Sequence, residues 1–318
     1  MGSTGTRVTP IRVPEGPDAG LAWHYGDPFG EQRAMLDGQG WLDLTNREVF
    51  SVTGPDRTSW LHDLTTQSFT GTPAPNSPTA LILEPTGRVR FWLRGADDGQ
   101  TWWGWTEPGQ GGPLVDWLIS MRFLLQVDVR IRPDLMVRWL GEREANPDAA
   151  LLNLPAEVGI GRELLVPRET AAPQARPVGQ WAYEALRVAA GIPRIGVDTD
   201  HTTIPNELGL YGTVLDKGCY PGQETVARVH NVGRPPRRLV GLLLDGSSEQ
   251  LPAPGALLEL DGREVGFVGS VAQHYELGPI GLGLVKRSVP TDAVLMAGGV
   301  PASQEVLVDP DVGLHVHG

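Results

Sequence analysis

The sequence predicts an α+β protein that ends in a small antiparallel β-barrel. Predicted strands and helices alternate along residues 49–190, which indicates layers of sheet and helix. From Leu239 onward, short apolar runs alternate with clusters of Gly, Pro, Asp and Ser, as is typical of a barrel of short strands. All 10 tryptophans lie at or before Trp181, and this shift in composition supports a boundary between the two parts.

Composition restricts the class of protein. The chain has 318 residues, of which 40% are hydrophobic and 20% charged, as expected of a globular protein of several domains. A net charge of −12 disfavours binding to nucleic acid or to an anionic membrane. One cysteine cannot form an internal disulfide, which fits a reducing compartment, and neither a secretory signal nor an apolar membrane span is evident. We therefore expect a soluble, cytoplasmic protein with no direct nucleic-acid or membrane partner.

The first part of the chain divides into an arm and a module. Residues 1–35 are rich in Gly, Pro, Thr and charge, and we expect them to form a weakly ordered N-terminal arm. Residues 36–140 are predicted to form the first α+β module, in which Glu84–Arg88 is the turn of a hairpin. Its predicted strands are 49–52, 79–83, 89–93, 102–105 and 127–131. One predicted helix of about two turns begins at residues 54–56, and a second covers 114–124.

The second part of the chain divides at residue 237. Residues 141–236 are predicted to form a second α+β module with a strand at 164–166. Its clearest helix is Gln180–Ala190, which is rich in Ala, Leu and Arg and is followed by Gly191. Residues 237–318 are predicted to form the barrel, with strands at 239–244, 256–260, 264–271, 281–285 and 293–296.

The only cysteine, Cys219, lies on a predicted turn between Gly218 and Gly222, just before a predicted helix over residues 223–229. The free N–H groups and the positive dipole end of a helix N-terminus favour an anion, and Lys217 adds positive charge. Both influences lower the pKa of a thiol and increase the reactive thiolate. The pattern therefore predicts a reactive cysteine.

A structural interpretation stays open, because a lone cysteine is more often a small buried hydrophobic residue than a nucleophile. The flanking glycines, Lys217 and the Gln223-Glu224 pair favour the functional interpretation, since a purely structural cysteine requires none of them.

The octapeptide Lys217-Gly218-Cys219-Tyr220-Pro221-Gly222-Gln223-Glu224 resembles the K-G-C-[FY]-x-G-Q-E signature of the YgfZ family of folate-binding proteins. That family is related to the aminomethyltransferase (T-protein) of the glycine cleavage system. The segments Tyr183–Pro193 and Val265–Ser270 also resemble the family, and the resemblance extends over residues 40–310. It implies two α+β modules and a C-terminal antiparallel β-barrel around a central opening, with tetrahydrofolate or a derivative bound there.

The resemblance also implies site residues. Cys219 would be the reactive thiol and Lys217 would support its thiolate form. The predicted ligand-binding residues are Tyr220, Gly222, Gln223, Glu224, Arg228 and Arg234. Arginine pairs with carboxylates such as the glutamate tail of a folate, although the charge pattern alone is equally compatible with a solvated surface. No metal site is predicted.

Two positions depart from the aminomethyltransferase. Phe91 matches its key aspartate and Ala189 matches its pterin-contacting glutamate, and neither side chain can transfer a proton. The predicted function is therefore a folate-binding accessory protein that supports iron–sulfur cluster assembly or repair, with iron–sulfur client proteins as partners. The alternatives are a folate-dependent one-carbon (aminomethyl-type) transferase with altered acid–base residues, and a non-enzymatic regulator that senses folate.

Overall fold

A computed structural model describes residues 9–70, 79–231, 233–248 and 250–311. These residues form 17 strands and five α-helices. The strands are β1 (Ile11–Arg12), β2 (Ala22–His24), β3 (Trp41–Leu44), β4 (Glu48–Thr53), β5 (Thr79–Leu83), β6 (Val89–Asp97), β7 (Thr101–Thr106), β8 (Asp128–Ile131), β9 (Leu135–Gly141), β10 (Leu152–Pro155), β11 (Gly161–Pro167), β12 (Arg237–Leu244), β13 (Leu257–Leu260), β14 (Arg263–His274), β15 (Gly278–Lys286), β16 (Leu295–Ala297) and β17 (Val300–Val306). The helices are α1 (Pro28–Leu36), α2 (Arg57–Leu64), α3 (Gly111–Ser120), α4 (Gln180–Ala189) and α5 (Gln223–Asn231), with a short 3-10 helix at Pro205–Leu208.

The first sheet is antiparallel, with the strand order β5-β6-β7-β4-β8. Successive side chains of β5 and β6 point to opposite faces, because a strand has a period of two residues. Phe91 packs into a core with helices α2 and α3, whereas Trp92 packs into the larger core shared with the second sheet. Both faces of the sheet are therefore buried.

The second sheet, β10-β11-β9-β3, corrects the linear division of the modules. Strand β3 and most of β9 come from residues that the sequence analysis placed in the first module, 36–140. In sequence, the strands of the first sheet lie between β3 and β9. In the structure, β3 and β9 nevertheless pair with each other, with Leu42 opposite Trp139. Two modules do exist, but their chain segments interleave.

The N-terminal segment also differs from the prediction. Of residues 1–35, those that the structure describes form the β1–β2 hairpin and most of α1 rather than a weakly ordered arm. Trp23 packs against Trp181, with ring centroids 5.3 Å apart and the rings tilted by 33°. The buried Glu31 carboxylate accepts hydrogen bonds from the backbone N–H groups of Tyr25 and Gly179, both at 2.8 Å. These contacts attach the segment to helix α4, and sequence composition does not reveal them.

The C-terminal barrel is confirmed. Its six strands close in the order β12-β15-β14-β13-β16-β17, and every pair is antiparallel. Val240 and Leu242 point into the barrel, and Leu239 on the opposite face packs against helix α4. Strand β17 was not predicted, because residues 301–306 contain several polar side chains and lack an apolar run. No helix in the described part of the chain is long and apolar enough to cross a membrane.

Candidate functional site

A cavity of about 470 Å³ opens between strand β6 and residues 195–201. This volume lies within the ordinary range of small-molecule sites, about 300–1,000 Å³. Trp92 contributes aromatic surface to its wall, and Phe91 also lines it although its ring packs on the opposite face of β6. Its polar lining consists of Glu84, Arg90, Thr106, Glu107, Gln110, Thr199, Asp200 and His201. The arrangement suits a flat ligand that carries several hydrogen-bonding groups.

The two positions that match the transferase's acid–base residues supply no proton-transfer group. Phe91 is 4% exposed and packs beside Trp117, with ring centroids 6.3 Å apart. Ala189 is exposed at the last residue of α4. Burial alone would favour the neutral form of Glu107, but the adjacent guanidinium groups of Arg47 and Arg194 lower its pKa below the ordinary value. Glu107 is therefore an ion-paired carboxylate.

A smaller inner cavity of about 20 Å³ shares Trp92 and Glu107 with the larger one. A hydrogen-bond network lies beside it, in which Trp92 Nε1 donates to the Tyr211 hydroxyl (3.3 Å) and that hydroxyl donates to Glu157 (2.7 Å). Burial raises the pKa of Glu163 although Arg94 pairs with it, and the nearby Glu157 adds to the rise. Sequence reasoning missed this network, since its members are scattered along the chain without a motif.

The Cys219 turn is attached to the wall of the larger cavity through two glycines. Gly222 has φ +81°, and a Cβ atom there would lie 2.6 Å from the carbonyl oxygen of Glu84 and 2.7 Å from the Cα of Gly87. Gly87 has φ +84°, and its own Cβ would lie 2.6 Å from the Cβ of Thr225. Only glycine permits this backbone and this close approach. Because Glu84 lines the cavity, the turn packs directly against the cavity wall.

Cys219 itself is an exposed, free thiol. Its exposure excludes the interpretation of a buried hydrophobic residue and makes the sulfur available to a reactant or a partner protein.

Lys217 is buried and holds the end of helix α2. Its ammonium donates to the carbonyl oxygens of His62, of Thr65 (2.6 Å) and of Gln67 (3.1 Å). Burial lowers the pKa of Lys217 to about 8, although Asp63 opposes the shift. Within the described ranges, no contact joins the ammonium to Cys219, so its predicted support of a thiolate has no direct geometric basis.

The predicted ligand-binding residues have different environments. Tyr220 is buried in the core, where desolvation raises its pKa to about 12, and Gln223 Nε2 donates to the backbone oxygen of Lys217 at 3.2 Å. Glu224 and Arg228 are exposed on α5. Arg234 is exposed and 3.9 Å from Asp311. None of the six predicted residues is among those that line the larger cavity.

Asp200 is a cavity residue that sequence reasoning missed. Arg237 donates to Asp200 (2.7 Å) and to the buried Glu207 (2.8 Å), which ties the cavity loop to the start of the barrel. Burial favours the neutral form of Asp200, but hydrogen bonds from Arg237 and Thr202 hold its pKa well below the ordinary value. The D-x-D-H order at residues 198–201 is the signal that could have drawn attention to this loop.

Comparison with known proteins places this geometry in context. The crystal structure of the glycine cleavage system aminomethyltransferase T from Bartonella henselae matches with a TM-score of 0.75, covering 94% of this chain and 93% of that one. Sequence identity is 18%, so the likeness concerns the fold alone, and it confirms the predicted aminomethyltransferase-like architecture.

Sequence relatives agree with the signature. The mitochondrial iron–sulfur cluster assembly factor IBA57 of Homo sapiens is 28% identical over 305 residues, which cover 83% of this chain and 84% of that protein. The tRNA-modifying protein YgfZ of Escherichia coli is 43% identical over 84 residues, 26% of this chain and 24% of that protein. This chain is similar to these proteins, and no family model matches it. For two further curated relatives, the match with this chain covers only a part of the relative, 25% of the length of one and 38% of the length of the other.

Proposed function

We propose that this protein binds tetrahydrofolate or a derivative in the central cavity and supports the assembly or repair of iron–sulfur clusters. The observation that carries the proposal is the contact of the Cys219 turn with the cavity wall, through Gly222, Gly87 and Glu84. A ligand in the cavity and an exposed thiol outside it would thus be linked through this close contact. The kinship with IBA57 and YgfZ supports the same function.

The cavity suits a folate in size and chemistry. Its volume of about 470 Å³ accommodates a bicyclic ring, and Trp92 presents aromatic surface to it. Polar groups such as Gln110 and Asp200 can orient the hydrogen-bonding edge of a pterin, because polar groups at fixed positions determine the orientation of a ligand.

Aminomethyl transfer is disfavoured for this chain. General acid–base catalysis requires a group that can take up or release a proton near neutral pH. At the two positions that match the transferase's acid–base residues, Phe91 and Ala189 carry no such group, so proton transfer would need another cavity residue such as His201. The folate is therefore proposed to act as a bound ligand or one-carbon carrier without the transferase's proton transfer.

Cys219 is proposed as the group that meets an iron–sulfur client protein. Iron–sulfur clusters are held by several thiolates, so one thiol cannot hold a cluster alone. An exposed thiol can instead contribute one ligand, or one redox step, while the client protein contributes the rest. The exposed Glu224 and Arg228 on α5 follow Cys219 in the chain and are proposed to contact the client.

Titration calorimetry with tetrahydrofolate and 5-formyltetrahydrofolate tests the ligand. We expect saturable binding by the wild type and by Cys219→Ser, and loss of binding by Gln110→Trp, which places a bulky ring at the cavity mouth. Gln100→Trp is the matched control, because Gln100 is exposed on the β6–β7 turn. Equal folate binding by Gln110→Trp and Gln100→Trp would show that the ligand does not bind in this cavity. Absence of binding by the wild type would contradict folate as the ligand.

The second test concerns the thiol. Cells that lack this protein are complemented with the wild type or with Cys219→Ser, and the activity of an iron–sulfur enzyme is measured. We expect Cys219→Ser to fail although it still binds folate. Full complementation by this variant would exclude Cys219 as the reactive group and favour the regulator that only senses folate.

A further inference from the structure

Arg194 forms an unusually complete carboxylate clamp. Its side chain is buried, with 5% exposure, and its Nε donates to Glu107 at 2.8 Å. The two terminal nitrogens donate to the two oxygens of Asp18, at 2.6 and 2.7 Å. This parallel pair of hydrogen bonds is the geometry with which arginine recognises a carboxylate.

Asp18 reaches Arg194 from a surface loop. The loop joins β1 to β2, and its remaining residues between 14 and 20 are exposed, whereas the Asp18 side chain is 14% exposed. A backbone hydrogen bond from Val13 to Leu21 (3.0 Å) closes the loop. Asn46 steadies the carboxylate by donating to it at 2.6 Å. One side chain of an otherwise solvent-exposed loop is thus inserted into the protein.

The hydrogen bonding of Arg194 depends on Asp18. Arg47 and Arg194 both pair with the carboxylate of Glu107, and Glu184 adds negative charge nearby. Without Asp18, the two terminal nitrogens of Arg194 would lose their hydrogen bonds to its carboxylate, and buried donors without partners are unfavourable. The Arg194 site would then favour another anion, above all one with two oxygens in a plane.

The clamp borders the central cavity. Arg47, Glu107 and Arg194 line the inner cavity of about 20 Å³, which is too small for a ligand larger than water. The inner cavity shares Trp92 and Glu107 with the larger cavity of about 470 Å³. A carboxylate carried by a ligand in the larger cavity would therefore meet the same cluster at its inner end.

We propose that Arg194 is a carboxylate-binding subsite of the central cavity and that Asp18 is a built-in occupant, which the carboxylate of an incoming ligand displaces. The β1–β2 loop then acts as a plug. Because six of the seven residues at positions 14–20 are exposed, its withdrawal disturbs little of the core. If the ligand is a folate, which rests on the proposed function, the displacing group is a carboxylate of its glutamate tail.

Chemical rescue tests the subsite without any folate. Asp18→Ala empties the clamp, and we expect its melting temperature to fall and then to rise with acetate, compared with chloride at the same ionic strength. Glu15→Gln is the matched control, since it removes one negative charge from an exposed position of the same loop. A melting temperature of Asp18→Ala that responds equally to acetate and chloride overturns the subsite.

Displacement is tested with two probes, 5-formyltetrahydrofolate and 6-methyltetrahydropterin, of which only the first carries carboxylates. We expect Asp18→Ala to bind the first about tenfold more tightly than the wild type and the second equally. Asn46→Ala, which loosens the plug and keeps every charge, should show a smaller gain for the first probe only. Unchanged or weaker binding of 5-formyltetrahydrofolate by both folded variants overturns the plug.

The tests separate the two proposals. If the wild type and the variants bind neither probe, the proposed folate function fails, while the acetate experiment still decides the Arg194 subsite.

Discussion

Gly222 lies so close to Glu84 that a Cβ atom at position 222 would come within 2.6 Å of the Glu84 carbonyl oxygen. Gly222→Ala should therefore destabilise the fold, because a side chain at positive φ costs about 1–3 kcal/mol and the clash with backbone adds to it. Urea denaturation of the wild type and of Gly222→Ala measures the loss in free energy of unfolding. Gly109→Ala is the control, since Gly109 has φ +77° and no atom within 4 Å of the added Cβ. Equal losses for both variants would contradict the close packing of the two turns.

Lys217 should make stability depend on pH in the alkaline range. Burial lowers its pKa to about 8 from an ordinary value of 10.5, so between these values the unfolded chain binds more protons than the folded protein. The free energy of unfolding contributed by this group therefore rises with pH across that window. Lys217→Met should remove this rise while losing the hydrogen bonds to Thr65 and Gln67. Urea denaturation at pH 7.5 and pH 10 compares the slopes, and identical slopes would show that the ammonium is solvated.

Asp200 should make stability depend on pH in the acid range. Although Asp200 is partly desolvated, the hydrogen bonds from Arg237 and Thr202 hold its pKa below the ordinary value of 3.8. The stability that this carboxylate contributes is present above about pH 4 and is lost as the pH falls towards its folded pKa. Arg237→Met should flatten this loss between pH 5 and pH 2.5 in urea denaturation.

The control for that experiment is Arg263→Met, which removes an exposed arginine of the barrel. Its acid profile should match the wild type. A steep acid loss that persists in Arg237→Met would assign it to other carboxylates.

Cys219 should react in the native protein. Its thiol is free and exposed, and no other cysteine competes for reagent. We expect one equivalent of iodoacetamide to label the folded protein about as fast as the urea-unfolded chain, as detected by mass spectrometry. Cys219→Ser should take up no label. Labelling that required unfolding would show the sulfur to be covered and would exclude contact with a client protein.

Much of the fold could be predicted from local sequence. The turn residues Glu84–Arg88 between two apolar runs located β5 and β6, and the glycine that follows an Ala- and Leu-rich run located α4. Helix α3 begins and ends earlier than predicted, at Gly111 and Ser120. Its end was misplaced because the apolar Phe123 and Leu124 suggested a longer helix. Both residues lie in an exposed turn, where Phe123 has φ +46°.

The sequence by itself determined many of the strands and helices, the barrel and the signature around Cys219, because periodicity and glycine spacing act over a few residues. Only the tertiary structure decided what those residues contact. It turned Lys217 inward to the end of α2, interleaved the two modules, and paired Asp18 with Arg194 across 176 positions. Such pairings depend on how distant strands and helices pack and on where burial makes an ion pair necessary. Neither condition is encoded in the spacing of neighbouring residues.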